Sequence, residues 1–168
     1  PYLTNNGVVL TYDRDQNGTW SLVHTLNPPS NSDELKFGYS VSCSGNRIAV
    51  ATYTSGVYVY HWNGDWTLEE LIPNNGSTWF GRGVSLQGNF LAVDTNTGTN
   101  VYMWDGFTWL NSPATLTGQA TSTAFTPDIK WLAIGNENHS NFAGKVTIWE
   151  RQTGNSWTQV FVHTFSHG

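Results

Sequence analysis

The sequence predicts an all-β protein built from four-stranded antiparallel blades of a β-propeller, with about three and a half blades present. A long segment with one fixed order of features occurs twice. An aromatic residue returns at one repeat position at spacings of 48, 44 and 45 residues, as Tyr12, Tyr60, Trp104 and Trp149. Each period contains four short strand signals separated by turn residues. Because one such sheet cannot bury both of its faces, stacked blades are the expected arrangement.

The two clearest copies of the repeat are FGYSVSCSGNRIAVATYTSGVYVYHWNGDW at 37–66 and FGRGVSLQGNFLAVDTNTGTNVYMWDGFTW at 80–109. Both contain a Phe-Gly opening, a Val-Ser pair, a Gly-Asn turn, an apolar run and an aromatic hairpin. In the first copy, we expect strands at 38–43, 47–52, 57–62 and 66–72. The apolar runs predict buried central strands, and the Gly-containing pairs predict tight turns.

The whole chain, 1–168, is interpreted as one β-propeller portion, with a half blade at 7–26 and blades at 37–77, 80–117 and 122–168. The half blade matches the second half of the later repeats, and the proline-containing linker at 27–35 follows it. The third blade has diverged more, with Pro127-Asp128 in place of the Gly-Asn turn. The tryptophan after each hairpin turn is predicted to pack between blades, at Trp20, Trp66, Trp109 and Trp157.

Composition excludes several classes of function. Charged residues are 11% of the chain and the formal net charge is -5, so no basic stripe is available for nucleic acid. No run approaches the roughly 18 to 20 apolar residues of a membrane span, so we expect no membrane insertion in this segment. The single cysteine, Cys43, excludes an intrachain disulfide, and its alternating context predicts a small buried side chain.

The order Phe-Gly, Val-Ser, turn, Ile/Leu-Ala-Val and Val-Tyr resembles the FG-GAP repeat of integrin α-subunit heads and related extracellular propellers, with Phe37-Gly38 and Phe80-Gly81 as its dipeptides. The resemblance covers about 7–165. It implies a ring of six to eight blades that acts as a recognition platform. We expect a longer protein, or else additional copies or partners, to complete the ring. The Gly-Ala-Pro of the family is absent, and its calcium loop has no counterpart, so the resemblance implies no calcium site.

The strongest candidate metal motif is Asp13, Asp15 and Asn17, which imitates the start of a calcium loop. The motif lies in the hairpin position that other repeats fill with ordinary turns. The favoured interpretation is therefore a plain turn without a cofactor, and a calcium site is the alternative.

No catalytic site is predicted. The turns near Asn17 and Asp105 resemble the Asp boxes of sialidase-like propellers, but their spacing differs and the four arginines are dispersed. Glu69 and Glu70 are adjacent in a strand and are expected to point to opposite faces, which makes them a poor glycosidase pair. The five histidines show no metal-ligand spacing: His24, His61, His139, His163 and His167.

The function expected from the sequence is a non-enzymatic structural or adhesive module that binds protein or self-assembles through propeller loops and edges. Glycosylation sequons at Asn17, Asn75 and Asn138 favour an extracellular, cell-surface or virion-surface location. The alternative is a carbohydrate-binding propeller. In that case exposed aromatic rings would stack on sugars, with the candidates Trp62, Trp66, Trp104 and Trp109. A sialidase-like glycosidase is a weaker alternative.

Overall fold

The computed structural model describes residues 7–29, 36–112, 116–138 and 143–166. Within these ranges the regular structure is β, apart from a single 3-10 turn at Thr153–Asn155. The strands are β1 Val9–Arg14, β2 Trp20–Leu26, β3 Val41–Ser44, β4 Arg47–Ala51, β5 Gly56–Trp62, β6 Trp66–Pro73, β7 Val84–Gln87, β8 Phe90–Asp94, β9 Gly98–Trp104, β10 Trp109–Asn111, β11 Leu116–Thr117, β12 Ser122–Phe125, β13 Trp131–Asn136, β14 Lys145–Arg151 and β15 Trp157–Thr164. The part of the chain that the structure describes has no helix long and apolar enough to span a membrane.

The strands form four antiparallel sheets in chain order. The N-terminal hairpin is β1–β2, blade 1 is β3–β4–β5–β6, and blade 3 is β12–β13–β14–β15. Blade 2 follows the order β7–β8–β9–β10, and the two residues of β11 also pair with β9 beyond the short β10. The predicted all-β propeller portion is confirmed.

The hydrophobic core lies between neighbouring sheets. One cluster joins blade 1 to blade 2, a second joins blade 2 to blade 3, and a third joins the N-terminal hairpin to blade 1. The centres of these clusters come from the repeated apolar runs, such as Ala49, Leu91, Val93 and Leu132. The repeated segments of the sequence therefore form sheets that pack against one another.

The Phe-Gly dipeptide opens blades 1 and 2 in the same way. Phe37 and Phe80 are buried, whereas Gly38 and Gly81 adopt positive φ angles of 86° and 79°. A Cβ on Gly81 would lie 2.8 Å from the Ala51 Cβ of the preceding blade. Glycine is required here by both backbone conformation and close approach.

Serine side chains connect the inner strands of adjacent blades. The serine ladder consists of Ser40, Ser42 and Ser44, whose Oγ atoms accept hydrogen bonds from backbone N–H groups of blade 2 at 3.2, 2.9 and 3.0 Å. The donors are Val84, Leu86 and Gly88, respectively. Ser85 repeats the contact one blade later and accepts from the Phe125 N–H at 3.1 Å. These contacts satisfy donors on the edge of β7 that has no β partner among the described residues.

Cys43 is exposed, so the prediction of a buried side chain is wrong. The equivalent residue of blade 2, Leu86, is 3% exposed because blade 1 covers it. Cys43 faces the N-terminal hairpin, which supplies only two strands where blade 1 supplies four. Cys43 therefore lies on the face that is buried in blade 2, but no strand of the described residues covers it in blade 1.

The serine ladder generates a prediction about stability. Ser42→Ala removes the acceptor of the part-buried Leu86 N–H and should lower the free energy of unfolding by about 1–2 kcal/mol. Urea unfolding followed by tryptophan fluorescence measures the change. Ser21→Ala is the control, because Ser21 is exposed on β2. Equal unfolding free energies for the two variants would contradict a stabilising ladder.

Candidate functional site

A groove of about 820 Å³ lies between the N-terminal hairpin and the inner strands of blade 1. This feature, called the inner groove, has mainly apolar walls. Its hairpin side includes Val9 and Trp20, and its blade side includes Val41, Cys43 and Ile48. Trp62 and Trp66 also line it, at one end.

The groove exists because the hairpin corresponds to only the outer half of a blade. Val41 is 51% exposed, whereas its repeat equivalent Val84 is 8% exposed under blade 1. Tyr12 of β1 and Tyr60 of β5 occupy the same repeat position, so β1 and β2 correspond to β5 and β6. The inner groove therefore takes the place of the two inner strands.

Aromatic rings surround one end of the groove. Trp62 and Trp66 have ring centroids 5.3 Å apart, and His24 meets Trp62 edge-on at 5.0 Å. Trp20 also lines the groove and is exposed. Of the four hairpin tryptophans, Trp109 and Trp157 are buried between blades as predicted, and Trp66 is partly buried.

The other two candidate sugar-stacking residues are engaged elsewhere. The Arg47 guanidinium lies 4.9 Å from the ring centroid of Trp104 and 5.8 Å from that of Trp109. Trp109 is 5% exposed, and its indole N–H donates to Glu69 at 3.2 Å. The structure thus brings Trp62 and Trp66 together at the groove but places Trp104 and Trp109 against Arg47.

Glu69 and Glu70 both contact blade 2, which corrects the expectation of opposite faces. Glu69 holds Arg47 in a bidentate ion pair with distances of 2.8 and 2.9 Å, and Glu70 accepts the backbone N–H of Trp109 at 2.9 Å. The register shifts between Val59 and Tyr60 and leaves Glu69 as the extra residue of a β-bulge. A bulge interrupts strict alternation, so adjacent side chains can serve one interface.

Asp94 has the largest pKa shift of the acidic side chains in the described ranges. Its side chain is fully buried, and burial raises its pKa to about 7 although a hydrogen bond from Thr99 acts in the opposite direction. The Thr99 hydroxyl donates to Oδ1 at 2.7 Å, whereas Oδ2 has no hydrogen-bond partner among the described residues. Oδ2 lies 2.3 Å from where a Cβ on Gly83 would be. The repeat does not mark this residue, because Ala51 is its equivalent in blade 1.

The calcium candidates lie in the turn of the N-terminal hairpin. Asp15 Oδ1 accepts hydrogen bonds from the backbone N–H groups of Asn17 and Thr19, at 2.9 and 2.8 Å. Asp105 makes the same kind of turn in blade 2, where hydrogen bonds from the Thr108 and Phe107 backbone lower its pKa. No group of three or more His, Cys, Asp or Glu residues suited to a metal occurs in the described ranges. A calcium site at Asp13, Asp15 and Asn17 stays an untested alternative.

The remaining candidates are distributed over the surface. Asn17 and Asn75 are exposed, and Asn138 is half-buried. The last two residues of the Asn138 sequon lie outside the described residues, as do His139 and His167. Arg82 is paired with Glu137, and Arg47 with Glu69, so two of the four arginines already have acidic partners.

Comparison with known proteins supports the fold only. No family model matches the chain, and no curated protein matches it. A solved structure, the WD40 domain of SCAP from fission yeast, is similar with a TM-score of 0.56 and 14% identity over 92% of this chain. The chain spans 41% of that domain. Part of a WD40 β-propeller therefore has the same arrangement of blades.

The raised pKa of Asp94 predicts that the free energy of unfolding depends on pH. The folded pKa of about 7 exceeds the ordinary aspartate pKa of 3.8, so the folded state holds the proton more tightly than the unfolded chain. This contribution is complete below about pH 3.8 and is lost as pH rises through about 7, at a cost of about 4 kcal/mol for the full difference. Unfolding free energy should therefore fall between pH 5 and pH 8.

Urea unfolding at several pH values tests this expectation. Asp94→Asn cannot lose a proton and should flatten the decline, whereas the exposed Asp13→Asn should retain it. Retention of the decline in Asp94→Asn would assign it to another group.

Proposed function

We propose that this chain is a non-enzymatic structural and recognition module that binds protein through uncovered faces of its blade stack. The partner is another protein or a second copy of the chain, and the complete ring arises within a longer protein or by assembly. The likeness to a WD40 domain supports the propeller architecture on which the proposal rests.

The observation that carries the proposal is the side of blade 3 that no other described element covers. The distal face is the side directed away from blade 2 and consists of Ala133, Val146, Ile148, Phe161 and His163. Cross-strand pairing places Ile148 beside both Ala133 and Phe161. Phe161 and His163 stack in parallel with ring centroids 6.5 Å apart.

Internal comparison indicates that a face of this kind is normally covered. Val57 and Val59 of blade 1 correspond to Val146 and Ile148, and both are 0% exposed beneath blade 2. Val146 and Ile148 are only half-buried, and Phe161 is exposed. Burial of apolar area gives about 25 cal/mol per Å², so covering this face with protein is favourable.

We further propose a secreted, cell-surface or virion-surface location, with the Phe-Gly repeats as a distant form of the FG-GAP repeat and an adhesive role. The exposed side chains of Asn17 and Asn75 support it, because a glycan acceptor must be accessible. A mass decrease after enzymatic removal of N-glycans from native material would support this location, and an unchanged mass would argue against it.

Carbohydrate binding is a second candidate function, favoured by the aromatic end of the inner groove. Trp62 and Trp66 present partly exposed rings there. A glycan array tests this candidate, and loss of any signal in Trp62→Ala would assign it to the groove. Turnover of sialosides, measured with the same preparation, tests the glycosidase alternative.

The protein-binding proposal predicts concentration-dependent self-association when a second copy is the partner. Phe161→Ser removes an exposed ring from the distal face and should weaken association by about tenfold or more, as measured by light scattering coupled to gel filtration. Phe107→Ser is the matched control, because Phe107 is exposed in the β9–β10 turn. Equal association of both variants would exclude the distal face as the contact.

A further inference from the structure

We propose that the inner groove binds a β-hairpin of a partner polypeptide, which pairs with the free edge of β1 and presents hydroxyl side chains to β3. This inference rests on the proposed function as a protein-binding module, but it concerns a different surface from the distal face. It identifies the kind of partner by backbone pairing, hydroxyl acceptors and small apolar side chains.

The residues of blade 2 that correspond to the groove wall are covered by two strands of blade 1. In blade 2, Val84 and Leu86 of the inner strand are buried against blade 1, whose inner strands β3 and β4 lie over them. In blade 1 the equivalent residues are Val41 and Cys43, and both are exposed in the groove. Two strands like β3 and β4 would therefore bury what is now exposed.

The groove also exposes a row of backbone N–H groups along β3. The N–H groups of Val84, Leu86 and Gly88 donate to the serine ladder of the preceding blade. The repeat equivalents in blade 1 are the N–H groups of Val41, Cys43 and Gly45. No side chain of the described residues accepts a hydrogen bond from them. A partner strand with hydroxyls at alternate positions would supply the missing acceptors.

One edge of β1 has no partner strand among the described residues. Its counterpart β5 is paired on both sides, by β4 and by β6, whereas the described residues pair β1 with β2 alone. An open strand edge binds extended polypeptide through main-chain hydrogen bonds. The edge adjoins the groove, since Val9 and Tyr12 of β1 line it. One strand of the hairpin would extend this sheet, and the other would lie over β3.

The composition of the groove specifies the occupant further. The apolar residues Val9, Val41 and Ile48 favour small uncharged side chains, as Ala49 and Ala51 are at the contact of blade 1 with blade 2. The groove is also continuous with the existing core, because Val9 and Ile48 belong to the cluster between the hairpin and blade 1. Occupation would thus extend an interface that already exists.

A synthetic peptide of residues 38–52 with Cys43→Ser is the probe, because it copies the two strands that cover blade 2. The readout is the reactivity of Cys43 in the intact chain toward a thiol reagent such as dithiobis(nitrobenzoic acid). Cys43 is the single cysteine of the sequence and lines the groove, so its protection reports occupancy directly. We expect saturating peptide to slow modification by at least about tenfold.

Two matched controls test the chemistry. A peptide in which Ser40, Ser42 and Ser44 are all alanine lacks the acceptors and should require about tenfold or more higher concentration for the same protection. In the chain, Val41→Arg places a charge in the groove and should abolish protection. Val162→Arg makes the same exposed substitution on β15, outside the groove, and should leave protection intact. Unfolding curves verify that both variants are folded.

Protection that depends on the serines and on Val41 would establish the proposal. Absence of protection by the serine peptide would overturn it, and so would equal protection by the alanine peptide. Protection by oligosaccharides instead of peptide would assign the groove to glycan binding. Self-association through the distal face is measured separately and should be unchanged in Val41→Arg. The groove proposal can therefore fail while association through the distal face is retained, and the reverse also holds.

Discussion

Each four-stranded sheet of this protein is apolar on both faces, and its stability depends on a neighbouring sheet on each side. The residues at the centre of the stack, such as Val59 and Leu91, are therefore completely buried between blades. The Phe-Gly openings serve the same constraint, because Gly81 allows the backbone to approach Ala51 of the preceding blade. Burial between sheets, rather than within one sheet, supplies the hydrophobic stabilisation.

Polar groups between the blades accompany this apolar contact and make it directional. The serine ladder supplies acceptors to an unpaired strand edge at the inner end, and Arg47, Glu69 and Trp109 form a hydrogen-bonded network on the outer side. Asp94 is different, because burial favours its neutral form and leaves one oxygen without a partner among the described residues. The contact between blades 1 and 2 is consequently directional. Asp94 lies on the opposite face of blade 2, with Phe90 and Ala92 of the same strand, so we expect the contact between blades 2 and 3 to be sensitive to pH.

The same constraint explains why the surfaces with proposed functions lie at the two ends of the described stack. Among the described residues, no inner pair of strands covers the inner groove and no sheet covers the distal face. Val41 in the groove and Phe161 on the distal face are exposed for this same reason. Both surfaces favour a β-rich protein partner over a small molecule, since extended backbone and apolar area are what they expose.

The sequence by itself determined the blades, because periodic apolar runs and Gly-containing turns specify strands and their repetition locally. It also determined the turns near Asp15 and Asp105, which depend on residues a few positions apart. Only the tertiary structure decided which side chains are covered. Cys43 alternates as a buried residue would, yet it is exposed because no strand of the described residues lies opposite it. A bulge brings Glu69 and Glu70 to one interface, and the burial of Asp94 depends on packing around it. These outcomes require contacts between residues far apart in the chain, which local patterns do not encode.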